Sequence, residues 1–179
     1  RLRMADAQRR LAARAEKAVQ ELQAVVEILK SEDLPTLLVE SSSRLSHWLL
    51  EDERDEEAFQ ALQTAEAACQ KHFGEEDPKA IDVKRHMASL HIKLGRKKEA
   101  LEYLKDVHYF ERRLHGSQSV QVARTLKALG TVYAADGQLT EAEQSYQQAL
   151  RIFETDRVPN AHFIHEIHAM LTSMHEVPA

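Results

Sequence analysis

A single cysteine, Cys69, leaves no partner for an internal disulfide and suits a reducing compartment. No apolar run approaches the ~18 residues of a membrane span, which argues against membrane insertion, and no signal-peptide pattern opens the chain. It begins at Arg1 and not at Met, the pattern of a fragment or a processed chain, whose targeting signal would lie outside the sequence. Glycine and proline are scarce, at 5 and 4 residues, so few breaks exist and the segments between them must be long. Aromatic residues are only 6%, and β-branched residues never alternate with polar ones as a half-buried strand requires. The net charge is -5 and the basic residues are dispersed, which disfavours nucleic acid as a partner. There is no phosphate loop, no G-x-S-x-G and no Rossmann glycine run, so no enzymatic constellation and no cofactor are expected.

What remains is helix. Ala, Leu, Glu, Gln, Lys and Arg dominate, and breakers divide the chain into segments at 5–30, 36–51, 54–71, 79–94, 97–113, 119–135, 139–154 and 161–175. The gaps are short, so successive helices are expected to pack antiparallel. With 43% apolar residues the chain has the composition of an ordered protein.

The helices repeat. A shift of 42 residues carries Gly137 onto Gly95, Ala142 onto Ala100 and Ala58, and Tyr146 onto Leu104 and Leu62. It also carries Ala149 onto Val107 and Ala65, and Leu129 onto Met87 and Leu45. A small-residue column runs through Ser46, Ala88, Gly130 and Thr172, one position after a column of large residues. The unit is a helix pair, present three times, followed by the first helix of a fourth. Gly130, inside a helix, is expected to be small because the second helix of its own pair crosses there, with Ala142 as the residue that meets it. Gly137 is expected to supply the positive φ of the turn between the two helices.

Leu126, Leu129, Gly130, Tyr133, Gly137, Ala142, Tyr146 and Ala149 are spaced like W-x2-L-G-x2-Y followed by A, F/Y and A, and so resemble the tetratricopeptide repeat. The 42-residue period, with "HFGEEDPKAIDV" and "LHGSQSVQVA" between pairs, is similar to the kinesin-light-chain variety of that family. The resemblance covers about residues 36–179. It implies an all-α, right-handed solenoid of helix pairs with an extra N-terminal helix. The expected division is a helix-bearing segment at 1–33 and an array of about three and a half repeats at 34–179.

The N-terminal helix carries Met4, Leu11, Ala15, Ala18, Leu22, Val25 and Leu29 at heptad-like spacing, behind a basic first half. It reads either as a coiled-coil strand or as the second helix of a preceding repeat. At the other end, Ile164, Ile167 and Leu171 are expected to lie uncovered, because the fourth pair lacks its second helix. His162, His165 and His168 stand at i, i+3 steps, a spacing that can bind zinc. However, His168 falls in the column of Leu126, and His91 and His175 fall in that of Tyr133, which makes them packing residues. Cys69 reads as a small buried residue. The acidic run Glu51–Glu57 reads as a solvated tip between helices or as an electrostatic docking site.

In the family that this chain resembles, the first helix of each pair lines a concave groove. Carried over by column, the groove residues are Glu40, Ser43, His47 and Leu50, then Asp82, Arg85, Ser89 and Ile92, then Arg124, Lys127, Thr131 and Ala134. The asparagine pairs of kinesin light chains and the carboxylate clamp of chaperone-binding members are missing here, so neither ligand class carries over. Arg85, Arg124 and Lys127 give the groove a basic centre suited to an acidic segment. The resemblance therefore implies a non-catalytic adaptor or scaffold that binds a peptide or helix of a partner protein. It implies a cytoplasmic setting, with cytoskeletal, motor-linked or ciliary roles by association. The competing reading is a structural subunit that self-associates or assembles through its N-terminal helix and C-terminal end. Zinc binding through the histidines is the third.

Overall fold

A computed structural model of the chain describes residues 2–156 and 160–175, with side chains for 16–156 and 160–174. Eight helices account for almost all of them: α1 (Leu2–Ser31), α2 (Pro35–Glu51), α3 (Asp55–His72), α4 (Pro78–Lys93), α5 (Lys97–His115), α6 (Val120–Ala135), α7 (Leu139–Thr155) and α8 (Ala161–His175). Every boundary falls within three residues of the expected one. The chain forms two compact units, Arg1–His86 and Met87–Ala179, with the boundary inside α4. Within each unit the helices pack pairwise in the manner of a tetratricopeptide solenoid.

In the first unit, Val39, Leu45 and Leu49 of α2 face Ala58, Ala61 and Ala65 of α3 across an interface that small residues keep close. Ser46, in the small column, donates its hydroxyl to the Ser43 carbonyl at 2.7 Å, so a polar residue is tolerated there. α1 lays Val19, Val26 and Leu29 against this unit. That stripe differs from the expected seam. Leu22 and Leu29 are shared, but Val19 replaces Ala18 and Val26 replaces Val25, which is exposed. The alternative stripe carries more apolar surface at its first position, and burial favours it. Met4, Leu11 and Ala15, and the basic residues before Glu16, lie outside the described side chains. Arg54 clips α1 down. Its guanidinium meets Glu57 at 2.7 Å and Glu16 at 3.2 Å, while Gln23 donates to Glu57 at 3.1 Å. The hydrogen bond from Arg54 holds the Glu57 carboxyl below its ordinary range. Part of the acidic tip is thus engaged by its own unit.

The second unit is organised around α7. Ala142, Ser145, Tyr146, Ala149, Ile152 and Phe153 form one buried stripe at i, i+3, i+4 spacing. At Gly130 the side chains of α7 leave α6 no room for a Cβ. A Cβ there would stand 2.7 Å from Cδ1 and Cε1 of Tyr146. The residue that meets Gly130 is therefore the Tyr146 ring, not Ala142 as expected from size matching. The flat ring needs the space of a missing side chain, and it directs its hydroxyl to Thr131 Oγ1 at 3.2 Å. In the equivalent positions of the earlier pairs a smaller Leu (Leu104, Leu62) accompanies a larger Ala88 or Ser46.

The turns within pairs share one geometry. Gly95 N–H bonds to Ile92 O and Arg96 N–H to His91 O; Gly137 and Gln138 bond likewise to Ala134 O and Tyr133 O. Both glycines have positive φ, 69° and 80°. The first pair builds the same cap from Glu53 and Arg54, which bond to Leu50 O and Leu49 O, and places Glu53 at φ 58°. These are Schellman caps, whose left-handed position favours glycine. The joints between pairs also share a column. Cys69 with Val83, and Phe153 with Ile167, are apolar and buried within common clusters. At the middle joint the same positions hold Glu111, 1% exposed, and Thr125, whose hydroxyl donates to Glu111 Oε2 at 2.6 Å.

Three substitutions check this account by chemical denaturation. Gly130→Ala gains about 1 kcal/mol of helix propensity but overpacks Tyr146, for an expected net loss of ~1–2 kcal/mol. Adding Tyr146→Leu should recover most of it, and an unchanged single variant would refute the close approach. Glu53→Gly should stabilise by roughly 0.5–1 kcal/mol, because only this cap forces a side chain into the left-handed region. Thr125→Val should cost about 1.5–3 kcal/mol by depriving a buried carboxylate, whereas Glu111→Leu/Thr125→Val should return to near wild type.

Candidate functional site

The columns carried over as groove-facing are not core positions. In the first unit Glu40 and His47 are exposed, and Ser43 and Leu50 are half-buried. His47 lies 3.4 Å from Glu51, and Arg85 is ion-paired with Asp82 one turn away. In the second unit Ser89 is exposed and Ala134 half-buried.

Four of the expected residues are brought together there. Ile92 at the end of α4, with Arg124, Lys127 and Thr131 on α6, lines an open pocket of about 410 Å3, completed by Ala128 and by Phe163 of α8. The spacing 124, 127, 128, 131 on α6 is one helical face, which is why one pocket collects all four. Phe163 is the floor of the site. It stacks on buried Phe153 with ring centroids 5.0 Å apart, so its position is fixed from behind. The Arg124 guanidinium stands 5.3 Å and the Lys127 ammonium 5.0 Å from its centroid. Thr131 receives the Tyr146 hydroxyl and donates to the Lys127 carbonyl at 3.1 Å, which ties the pocket wall to the α6–α7 core. Burial raises the Tyr146 pKa, so this hydroxyl stays protonated.

The basic centre is smaller than the sequence suggests. Lys127 is paired with Glu166 of α8, and the hydrogen bond it donates holds the Glu166 carboxyl below its usual range. Arg85 is engaged by Asp82. Of the three cations, Arg124 alone meets no carboxylate among the described residues. Phe163 and Glu166 went unrecognised in the sequence, because they belong to the first helix of the next pair. Glu166 could have been found, since it occupies the column of Arg124 and Asp82 one repeat further on.

Other candidates resolve as follows. Cys69 is buried, and desolvation raises its thiol to about 11, far from a reactive thiolate. Among the described residues no three His, Cys, Asp or Glu side chains converge as a metal site. His91 is buried and stacks on Tyr103 with centroids 5.4 Å apart, a packing role. His168 is exposed instead of packed, as His165 beside it is exposed, because no helix lies over that face of α8 among the described residues. The side chain of His175 lies outside the described residues. Ile164, Ile167 and Leu171 are not the uncovered face that was expected. Ile167 is fully buried and the other two pack on the α6–α7 core, since their columns are those that dock on the preceding helices.

Comparison with known proteins agrees with this architecture. Residues 80–155 match the tetratricopeptide repeat family. None of the curated proteins matches the chain. Among solved structures, BtubC (BKLC) from P. vanneervenii superposes with a TM-score of 0.78 at 19% identity, covering 93% of this chain and 70% of that one. A Podosopora anserina protein of kinesin-light-chain type, with nearly identical TPR-like repeats, gives 0.74 at 21% identity, covering 92% and 84%. MamA gives 0.58 at 12% identity, covering 95% and 96%. Residues 80–155 thus carry the tetratricopeptide repeat match, and the fold of the chain is that of solved kinesin-light-chain-like repeat proteins. Such repeats are typically non-catalytic and generally bind proteins. No helix among the described residues is long and apolar enough to cross a membrane.

Proposed function

We propose that this protein is a non-catalytic adaptor that takes a short acidic peptide or helix of a partner on the face formed by α6, the end of α4 and α8. The observation that carries this reading is the pocket over Phe163. It offers an aromatic floor that is held from behind, beside a guanidinium with no carboxylate partner among the described residues. That combination suits a segment placing a large apolar side chain on Phe163 and a carboxylate against Arg124. Arg–carboxylate pairs give orientation, and the apolar anchor gives most of the affinity. The Lys127–Glu166 pair is a rim contact that a stronger acidic ligand can displace. The likeness to kinesin light chains makes cytoskeletal, motor-linked and ciliary proteins the first partners to try.

The assembly-subunit reading draws on Val25 and Ile28 of α1, which are 42% and 61% exposed. The packing of Ile164, Ile167 and Leu171 against α7 removes its other support.

Selection from a random peptide library should enrich acidic sequences bearing a large apolar residue. The selected peptides should bind Arg124→Glu and Phe163→Ala at least about tenfold more weakly, a change of ~1.4 kcal/mol or more. Circular dichroism would confirm that both variants remain helical. Peptides that bind the variants as well as wild type would place the working surface elsewhere and return the assembly reading to first place.

A further inference from the structure

A second cleft of the Met87–Ala179 unit, lined by residues that the peptide pocket does not use, has the chemistry of an anion site. It encloses about 480 Å3 over α6, with α5 on one side and α7 on the other. Its floor is Val122, Leu126 and Ile152, all buried. From α5 come His108 and Arg112, one turn apart on the same helix face. From α7 come Gln148 and Arg151, likewise one turn apart. The turn after Gly116 adds Ser117 and Gln118.

Every polar side chain in this lining can donate a hydrogen bond, and none is a carboxylate. The engagement of these groups is what sets them apart. Arg54, Arg85 and Lys127 are each bound to an acid. Arg112 and Arg151 have no ion pair or side-chain hydrogen bond among the described residues, nor do Ser117, Gln118 and Gln148. The acid that acts on His108 is Glu111, which is buried and accepts from Thr125. Burial, and then the Arg112 charge, hold the His108 imidazole below its ordinary pKa against the opposing effect of Glu111. In a chain of net charge -5, the two helices that flank α6 here bring to one cavity cations with no acid partner among the described residues.

From this geometry we infer that the α5–α6–α7 cleft binds the phosphate of a phosphorylated serine or threonine in a partner polypeptide. Two guanidiniums with amide, hydroxyl and imidazole donors outnumber what the two oxygens of a carboxylate take up, and they match three phosphate oxygens carrying close to two charges. The volume is many times that of one phosphate, which leaves room over the apolar floor for the residue that bears it and its neighbour. A nucleotide would need a broad stacking surface for its base, and no Phe, Tyr or Trp ring lines the cleft among the described residues.

The test is an NMR titration of the full chain at constant ionic strength with three probes: N-acetyl-O-phosphoserine-N-methylamide, its unphosphorylated form and inorganic phosphate. The phosphorylated compound should shift His108, the Arg112 and Arg151 side chains and the amides of Ser117 and Gln118 saturably. The serine compound should shift none of them. Arg112→Gln and Arg151→Gln should each weaken binding by about tenfold or more. Arg44→Gln, on the other unit, and Arg124→Glu, at the peptide pocket, should leave it unchanged, which separates this site from that one. Absence of saturable shifts at these residues would overturn the inference, as would an equal loss with Arg44→Gln. Inorganic phosphate binding as tightly as the phosphoserine compound would also overturn it, by showing a site for the free ion.

Discussion

The contact between α6 and α7 in which the Tyr146 ring lies on the bare backbone of Gly130 is the constraint on which the second unit depends. Two helices joined by a three-residue turn can bury a continuous stripe only if their axes come near each other over their length. In this pair one residue is therefore reduced to bare backbone, where the earlier pairs hold Ala88 and Ser46. Glycine is an expensive choice inside a helix, and here it is offset by an aromatic ring that fills the space completely. The same ring then reaches through to Thr131 and fixes the wall of the Phe163 pocket. The core and the proposed binding face are thus one mechanical unit, and the pocket inherits its rigidity from the packing behind it.

This arrangement explains why the exposed face can vary while the fold persists. The columns that carry the pairs, with Ala58, Ala100 and Ala142 in one and Leu62, Leu104 and Tyr146 in another, are all buried. The columns that face outward hold acids, bases, serine, threonine and isoleucine without a common theme. The residues of the proposed site thus sit on positions outside the buried columns. A single helix face of α6 can then gather Arg124, Lys127 and Thr131 with Ile92 and Phe163 at no structural cost.

Most of the fold was legible because the period is constant and the breakers are few. Boundaries followed from glycines and prolines, and the turn conformation of Gly137 followed from its place after a helix. What size matching could not supply was which side chain fills the space over Gly130. It paired small with small, whereas shape complementarity paired the smallest residue with the flattest. The α1 stripe was misplaced by one residue at two positions because two overlapping stripes share Leu22 and Leu29. Local spacing does not distinguish them, and burial of Val19 does. The candidate site was legible on α6 and not on α8, because columns were read within pairs while the pocket is built between them. The neutralisation of Lys127 by Glu166 has the same origin.

The buried Glu111–Thr125 bond makes the joints of this array unequal. A solenoid whose joints were all apolar could have its repeats exchanged, multiplied or permuted with little penalty. Here a second helix bearing Glu111 must be followed by a first helix that offers a hydroxyl at the position of Thr125, and neither Val83 nor Ile167 can stand in for it. The order of the repeats is therefore encoded in the core as well as on the surface. A shuffled array would announce its error as a stranded carboxylate at the wrong joint.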